Sequence, residues 1–223
     1  MHTKGTIMID IKKMNAYYDH VLGQVYPETE SPFHKQLTTE VYEKIIQPLN
    51  IDKDAQILDV GCGPGYFLEH CKKDGYKNAV GTVGTEDELK SLKKKKLKAS
   101  IEDISFLSNK DESIDFIFCR QVLEHSPWPY ITLMEYNRVL KMGAKMYIET
   151  PCPDSDDRMH ENNVNHYSVM GNRMLHCLIV RAGFKINGAF NLDMPIVNNE
   201  TGKKMRETGF GVIAIKEAHC PTK

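Results

Sequence analysis

The chain has 223 residues, of which 41% are hydrophobic and 26% are charged. This length is sufficient for one α/β domain with a sizeable buried core. The formal net charge of −1 at pH 7 gives no electrostatic indication of an obligatory nucleic-acid partner. No apolar run is long enough to span a membrane, and the N-terminus lacks an apolar signal core, so we expect no membrane partner.

The six cysteines are scattered along the chain, and none forms a Cys-x-x-Cys pair. This spacing is typical of reduced thiols and predicts a cytoplasmic protein. The sequence also lacks internal repeats and long low-complexity segments, so we expect a single globular unit.

Two helices are predicted within residues 1–50. In the first, apolar residues recur near one face of a helix that starts at Asp10. Ser31 and Pro32 combine an N-cap with a first-turn proline, which predicts the start of the second helix. We therefore assign residues 1–50 to an N-terminal helical segment and residues 51–223 to the main domain.

The segment from Gln56 to Phe67 reads QILDVGCGPGYF. Its apolar start, interrupted only by Asp59, is typical of a buried strand in a parallel sheet. Gly61, Gly63 and Gly65 then precede an apolar helix start. Glycines at such a junction allow positive φ and let a ligand approach the backbone. A strand, a glycine turn and a helix in this order predict a nucleotide-cofactor site.

The glycine spacing narrows the choice of cofactor. The dinucleotide fingerprint needs a glycine in the sixth place from Gly61, where Tyr66 stands, and no Gly-Lys-Ser/Thr sequence closes a P-loop. The pattern Asp-x-Gly-x-Gly-x-Gly resembles motif I of the class I S-adenosylmethionine (SAM) dependent methyltransferases. The resemblance implies that Asp59 supports the loop and the ammonium group of SAM. It assigns the turn itself to the methionine part of SAM: Gly61, Cys62, Gly63 and Gly65.

A second strand is predicted from Ala79 to Val83, and the capping-box sequence that starts at Thr85 opens a helix. In the resembling family, an Asp or Glu at the end of this strand binds both ribose hydroxyls. Val83 occupies that place in the cofactor site, so the chain departs from the family pattern. Glu86 is the candidate replacement. Its alternative role is that of a first-turn carboxylate favoured by the helix dipole.

A short third strand is predicted from Leu97 to Ile101. In the resembling family, the residues at its end line the adenine, with an apolar side chain on the ring face and an acidic side chain or a backbone amide at the base edge. The resemblance therefore assigns Ile101 and Glu102 to the adenine site. The alternative is an ordinary strand end followed by an acidic turn.

The fourth strand, from Ile114 to Cys119, leads into the sequence RQVLEH. This segment resembles the family's motif IV, in which the strand ends near the transferred methyl group and a Glu-His pair opens the next loop. The resemblance assigns Cys119 and Arg120 to the cofactor site, and it places His125 next to the cofactor or the acceptor. The carboxyl end of a central strand is where ligands bind in such sheets. The alternative is a histidine that only braces the loop.

The turn from Arg138 to Gly143 resembles the family's RVLKPGG turn and precedes a fifth strand that ends at Glu149. The loop at residues 150–165 is rich in Asp, Asn and His, and loops of this length are usually functional or mobile. It contains no fixed ligand spacing, so we assign no metal site. His166 follows it in a His-x-Ser segment similar to one found in many small-molecule methyltransferases.

These elements predict an α/β, Rossmann-like fold. Its seven-stranded sheet is mostly parallel, carries helices on both faces and ends in an antiparallel hairpin built from strands at Phe184–Asn191 and Gly209–Lys216. The resemblance implies that residues 51–223 bind SAM. It also implies that residues 1–50 form a helical cap over the cofactor, although a helix pair packed beside the sheet fits the sequence equally well.

The resemblance implies a SAM-dependent methyltransferase, similar to the ubiquinone-biosynthesis type. It would move a methyl group to an oxygen or nitrogen atom of a small-molecule acceptor and release S-adenosylhomocysteine (SAH). His125 and His166 are the candidate catalytic bases, because an imidazole ordinarily titrates near neutral pH, and Glu149 is a third candidate.

Two alternative functions remain open at this point. One is a SAM- or SAH-binding protein without efficient transfer, which the valine at position 83 supports. The other is a nicotinamide-dependent oxidoreductase, which Tyr66 disfavours. We expect a monomer or a homodimer.

Overall fold

In a computed structural model of the chain, the described residues are 10–25, 27–153, 158–197, 202 and 204–220. They form six α-helices and seven strands. The helices are α1 (Ile11–Leu22), α2 (Pro32–Val41), α3 (Tyr66–Lys73), α4 (Glu86–Lys94), α5 (Pro129–Val139) and α6 (Asn172–Arg181). The strands are β1 (Gln56–Val60), β2 (Asn78–Val83), β3 (Ala99–Ile101), β4 (Ile114–Arg120), β5 (Leu140–Pro151), β6 (Phe184–Val197) and β7 (Lys204–Lys216).

The strands form one seven-stranded sheet in the order β3-β2-β1-β4-β5-β7-β6. Strands β1 to β5 pair in parallel, and β7 is antiparallel to both of its neighbours. This confirms the predicted Rossmann-like sheet and its terminal hairpin. Among the described helices, none is both long enough and apolar enough to cross a bilayer.

Strand β4 shows why the sheet carries helices on both faces. Successive side chains of a strand point to opposite faces. Phe116 and Phe118 pack with α2 and α3, whereas Ile117 and Cys119 pack with α5 and α6. The continuous apolar run of this strand therefore buries both faces, as is usual for parallel sheets.

The strand order reverses between β1 and β4. In open α/β sheets, ligands bind beyond the carboxyl ends of the strands at such a switch point. The glycine turn follows β1 at this edge, and the segment from Arg120 to His125 follows or ends β4 there. The topology thus brings the two principal sequence motifs to one crevice.

The terminal hairpin is longer than the sequence predicts, because β6 has 14 residues and β7 has 13. The predicted strands ended at Asn191 and began at Gly209, but the ladder between them continues to Val197 and Lys204. Strand β5 pairs with β7 as far as Gly209, and one further hydrogen bond runs from the Cys152 N–H to the Thr208 carbonyl at 2.9 Å. Pairing between β6 and β7 forms the rest of the outer part.

Candidate cofactor and acceptor site

The turn after β1 has a backbone conformation and close neighbours that leave no room for side chains at two positions. Gly61 and Gly63 adopt φ of +62° and +45°, which side chains rarely allow. A Cβ at Gly61 would lie 2.6 Å from Cγ2 of Val122, and a Cβ at Gly63 would collide with the carboxylate of Glu28. The Gly61 N–H donates to Oγ1 of Thr82 at 3.0 Å, which ties the turn to β2. Both positions therefore require glycine.

A cavity of about 380 Å³ opens over this turn. Its volume falls within the range of roughly 300–1,000 Å³ that is typical of ligand sites. Residues at the ends of β2 and β3 line it together with residues after β4. A smaller cavity of about 40 Å³ adjoins it, and Glu28, Gly61 and Gln121 line both cavities.

Helix α1 also lines the larger cavity, through Tyr18, Val21 and Leu22. None of the residues of this helix is buried, since its apolar face meets the cavity and not the core. The Tyr18 ring stacks on Trp128 at a centroid distance of 5.1 Å and meets Phe106 edge-on at 5.7 Å. These ring contacts hold α1 across the cavity.

Six predicted site residues line the larger cavity: Gly61, Gly63, Val83, Ile101, Glu102 and His125. Three more line the smaller one: Asp59, Cys62 and Arg120. The remaining four line neither cavity: Gly65, Glu86, Cys119 and His166. Gly65 instead allows close packing of α3, since a Cβ there would meet Leu92 at 2.6 Å, and the buried Cys119 Sγ lies 3.5 Å from the Tyr136 hydroxyl.

Of the two carboxylates Glu86 and Glu88 at the start of α4, only Glu88 lines the larger cavity. Glu86 is exposed at the start of α4, whereas Glu88 is buried and lines the cavity. Glu88 turns back because it completes the capping box, where it accepts hydrogen bonds from the Thr85 N–H at 3.1 Å and from the Thr85 hydroxyl at 2.8 Å. The capping-box sequence was the available signal for this position.

The carboxylates of Asp59 and Glu28 lie beside the glycine turn. Asp59 is only 3% exposed, and its Oδ2 has no hydrogen-bond partner among the described residues. Burial and the nearby charge of Glu28 raise the pKa of Asp59 well above its usual value. Burial and Glu88 likewise raise the pKa of Glu28, which Arg120 opposes. This arrangement suits a cationic ligand. No local pattern marks Glu28 in the sequence, so sequence reasoning missed it.

The two residues predicted to contact the adenine, Ile101 and Glu102, both line the larger cavity. Glu102 lines the cavity, but its carboxylate accepts hydrogen bonds from the hydroxyls of Ser100 at 2.6 Å and Ser108 at 2.9 Å. The next residue, Asp103, also lines the cavity and was not predicted. Ile101 contributes an apolar side chain to the same lining.

A buried network separates the smaller cavity from a third cavity of about 370 Å³ beside the hairpin. Arg120 Nε lies 2.9 Å from Oε1 of Glu149, although its N–H bond is not directed at that oxygen. Glu149 also accepts hydrogen bonds from Gln121 at 3.1 Å and from Tyr147 at 2.5 Å. These contacts occupy the Glu149 carboxylate, which orients Arg120 and Gln121 and is poorly placed to act as a base.

Two predicted bases meet at the other end of the larger cavity. The rings of His125 and His166 are edge-to-face with centroids 4.8 Å apart, and His160 stacks on His166 at 5.8 Å. Burial lowers the pKa of His125, and burial together with the two neighbouring imidazoles lowers the pKa of His166 to about 4. Burial raises the pKa of Glu124, which adjoins them, to about 8. Near neutral pH both imidazoles are therefore uncharged.

These features fit SAM better than a dinucleotide. Gly61 and Gly63 line the larger cavity, which would receive the methionine part, and Asp59 with Glu28 would face its ammonium group. A pyrophosphate would meet these carboxylates unfavourably. SAM supplies a methyl group that its sulfonium makes electrophilic, so the protein needs mainly to position the acceptor and to exclude water.

A family model described as a methyltransferase domain matches residues 33–187. Over 188 residues, the chain is 27% identical to a tRNA U34 carboxymethyltransferase of Actinobacillus pleuropneumoniae serotype 7, strain AP76. This match covers 74% of this chain and 59% of the relative. Over 126 residues, it is 29% identical to a ubiquinone biosynthesis O-methyltransferase of Coxiella burnetii, strain Dugway 5J108-111. This match covers 53% of this chain and 52% of the relative. The chain thus spans about half the length of the curated relatives it matches.

Among solved structures, the fold is similar to that of a SAM-dependent methyltransferase from Archaeoglobus fulgidus. The TM-score is 0.63 at 19% sequence identity, and the match covers 80% of this chain and 94% of that one. At this identity the likeness establishes the fold, and the residues of the site must carry the functional argument.

Proposed function

The chain belongs to the methyltransferase domain family, and from this membership we propose that it moves the methyl group of SAM to an oxygen or nitrogen atom of a small-molecule acceptor. The membership confirms the family that the glycine turn and the Glu-His segment predicted. The observation that carries the proposed activity is the glycine turn that lines the cavity beside the buried carboxylate of Asp59, whose Oδ2 has no partner among the described residues.

In the proposed reaction, the chain acts mainly by positioning. The turn at Gly61 and Gly63 receives the methionine part, and Asp59 with Glu28 pairs with its ammonium group. Glu88 or the backbone at Val83 meets the ribose, while Ile101 and Asp103 meet the adenine. Helix α1 excludes water, which strengthens every polar contact inside.

The acceptor is proposed to enter the end of the cavity that His125 lines, next to Asn165 and Tyr167. The S–CH₃ bond breaks as the acceptor forms its new bond to the methyl carbon. In this proposal the proton of the acceptor leaves toward His125, with His166 behind it. General-base assistance of this kind typically contributes about 10²–10⁴-fold in rate.

The net charge of the chain and the position of α1 favour a small acceptor over a nucleic acid. One relative is named as a tRNA carboxymethyltransferase. This chain, however, has a net charge of −1, and its helix α1 crosses the cavity. A polyanion is usually bound by a strongly basic surface. The ubiquinone-biosynthesis relative is a precedent for a small acceptor among the matched proteins.

The test is SAH release from SAM in a screen of small hydroxyl- and amine-containing compounds, with bulk tRNA as a parallel arm. Calorimetry should first show SAH binding near a micromolar Kd, about −8 kcal/mol. Turnover with a small compound supports the proposal. Turnover with tRNA alone contradicts the small acceptor, and SAH binding without turnover in any arm supports the binding-protein alternative.

A further inference from the structure

We propose that Glu124, His125 and His166, the Glu-His-His cluster, hold one divalent first-row transition-metal ion at the acceptor end of the cavity. Each residue offers one ligand atom, and the three atoms lie within 4.8 Å of one another. Two imidazoles and a carboxylate form a donor set that Zn²⁺ and related ions prefer. The loop at residues 150–165 has no fixed ligand spacing, which is why the sequence predicted no metal site, and the three residues of the cluster lie outside that loop.

Buried polar atoms without partners point to a missing ligand in this cluster. Glu124 is 1% exposed, yet its Oε2 has no hydrogen-bond partner among the described residues. The Nδ1 atom of His166 also lacks one. Buried polar groups are almost always satisfied, so such atoms need an explanation. An ion between them would satisfy both at once.

Backbone contacts fix the two segments of the cluster against each other. The carbonyl of Glu124 accepts hydrogen bonds from the N–H groups of Tyr167 at 2.8 Å and Ser168 at 3.0 Å. The Ser168 hydroxyl donates to the carbonyl of Ser126 at 2.7 Å. Ligands of a tetrahedral Zn²⁺ lie about 3.3 Å apart at bond lengths near 2.0–2.2 Å. Small side-chain rotations would therefore close the site without moving the backbone.

The hydrogen bonds around the imidazoles suit metal ligands. His125 Nδ1 lies 3.0 Å from the carbonyl of Asn165, so it carries the proton and leaves the lone pair on Nε2. Metal-bound histidines usually donate their second N–H to such an acceptor. On His166, Nε2 lies 3.1 Å from the side-chain nitrogen of Asn163. Binding through Nδ1 places the proton on Nε2, so the Asn163 amide must turn to accept it.

Three protein ligands leave coordination positions of the ion open. Because His125 lines the larger cavity, these open positions would face that cavity. A hydroxyl of the acceptor can bind there, where the ion lowers its pKa. The acceptor oxygen then forms the O–CH₃ bond as the S–CH₃ bond breaks, SAH leaves as a neutral thioether and the proton passes to solvent. This catalytic step rests on the proposed function, and it replaces direct proton transfer to His125. Ion binding itself does not depend on it.

The experiment titrates the chelator-treated full chain with Co²⁺ and Zn²⁺. Calorimetry should give one site per chain with a Kd at or below about 1 μM, and bound Co²⁺ should show visible absorption that Zn²⁺ displaces. Mg²⁺ should bind weakly, because it prefers oxygen ligands. Absence of a stoichiometric site, or equal affinity for Mg²⁺ and Zn²⁺, overturns the proposal.

Glu124→Gln and His166→Ala should each weaken Zn²⁺ binding about 100-fold or more, since altering even the partners of metal ligands costs about 10–100-fold. His176→Ala is the matched control, because His176 lies on α6 outside the cluster, and it should bind Zn²⁺ like the parent. Retained SAH binding in the cluster variants shows that they fold. If they bind both SAH and Zn²⁺ like the parent, the ion site is refuted while the proposed function stands. If SAH binding fails in the parent, the proposed function is at fault instead.

Discussion

Asp59→Asn should stabilise the free protein and weaken cofactor binding at the same time. The parent carboxylate is buried, its Oδ2 has no hydrogen-bond partner in the part of the chain that the structure describes, and the charge of Glu28 lies nearby. Leaving such a group unsatisfied costs about 1–3 kcal/mol. Asparagine removes the charge but still buries a polar amide, so we expect a gain of about 1–2 kcal/mol in the free energy of unfolding. For a chain of this size, that corresponds to about 2–8 °C in Tm.

The stability gain of Asp59→Asn should depend on pH. The folded state raises the pKa of Asp59 above its unfolded value. Between these two values the folded state holds the extra proton, so stability falls as pH rises through the folded pKa. The gain in Asp59→Asn should therefore be smaller at about pH 4 than at about pH 8, as measured by urea unfolding at both pH values.

Binding should move in the opposite direction. A charge-assisted contact to the cofactor's ammonium group is worth about 1.5–3 kcal/mol, so SAH affinity measured by calorimetry should fall about 10- to 150-fold. Asp115→Asn is the control. Although burial raises the pKa of Asp115, hydrogen bonds from Lys141 at 2.7 Å and from the Gln56 N–H at 2.9 Å hold it below its usual value. That variant should lose stability and keep its SAH affinity. An Asp59→Asn protein less stable than the parent at about pH 8 would refute the reasoning.

Four further variants test the rest of the cavity. Gly63→Val should abolish SAH binding in calorimetry, because its side chain would collide with Glu28 at a φ of +45°. Val83→Asp should tighten SAH binding about tenfold by a charge-assisted contact to the ribose, whereas Glu86→Gln should change it less than about twofold, because Glu86 is exposed outside the cavity. His125→Ala should retain SAH binding yet lose about 10²–10⁴-fold in the rate of SAH release.

Contrary results in three of these four variants would overturn the corresponding assignments. Unchanged SAH binding in Gly63→Val would mean that the turn does not contact the cofactor. A large loss of SAH affinity in Glu86→Gln would mean that the Glu86 carboxylate contacts the cofactor, as the sequence predicted. Helix α4 would then have to begin differently in solution. Full turnover in His125→Ala would leave this histidine with a structural role only, because positioning alone would then account for the rate.

Local patterns in the sequence determined the elements and their order. The apolar run around Asp59, followed by glycines at alternate positions, specifies a strand, a turn and a helix because each depends on neighbours within a few residues. The capping box at Thr85 specifies a helix start for the same reason. Because alternating strands and helices form a parallel sheet with right-handed crossovers, the edge where the motifs meet also follows from their order.

Only the tertiary structure decided which side chains converge at that edge. Glu28 reaches Gly63 and Asp59 across more than thirty residues of chain, and His166 reaches His125 through backbone contacts at Glu124. The outer arm of the hairpin and the choice of Glu88 over Glu86 likewise depend on where each backbone is held. Such contacts depend on long-range packing, which local periodicity does not encode, and they determine the charge and the ligand atoms of the site.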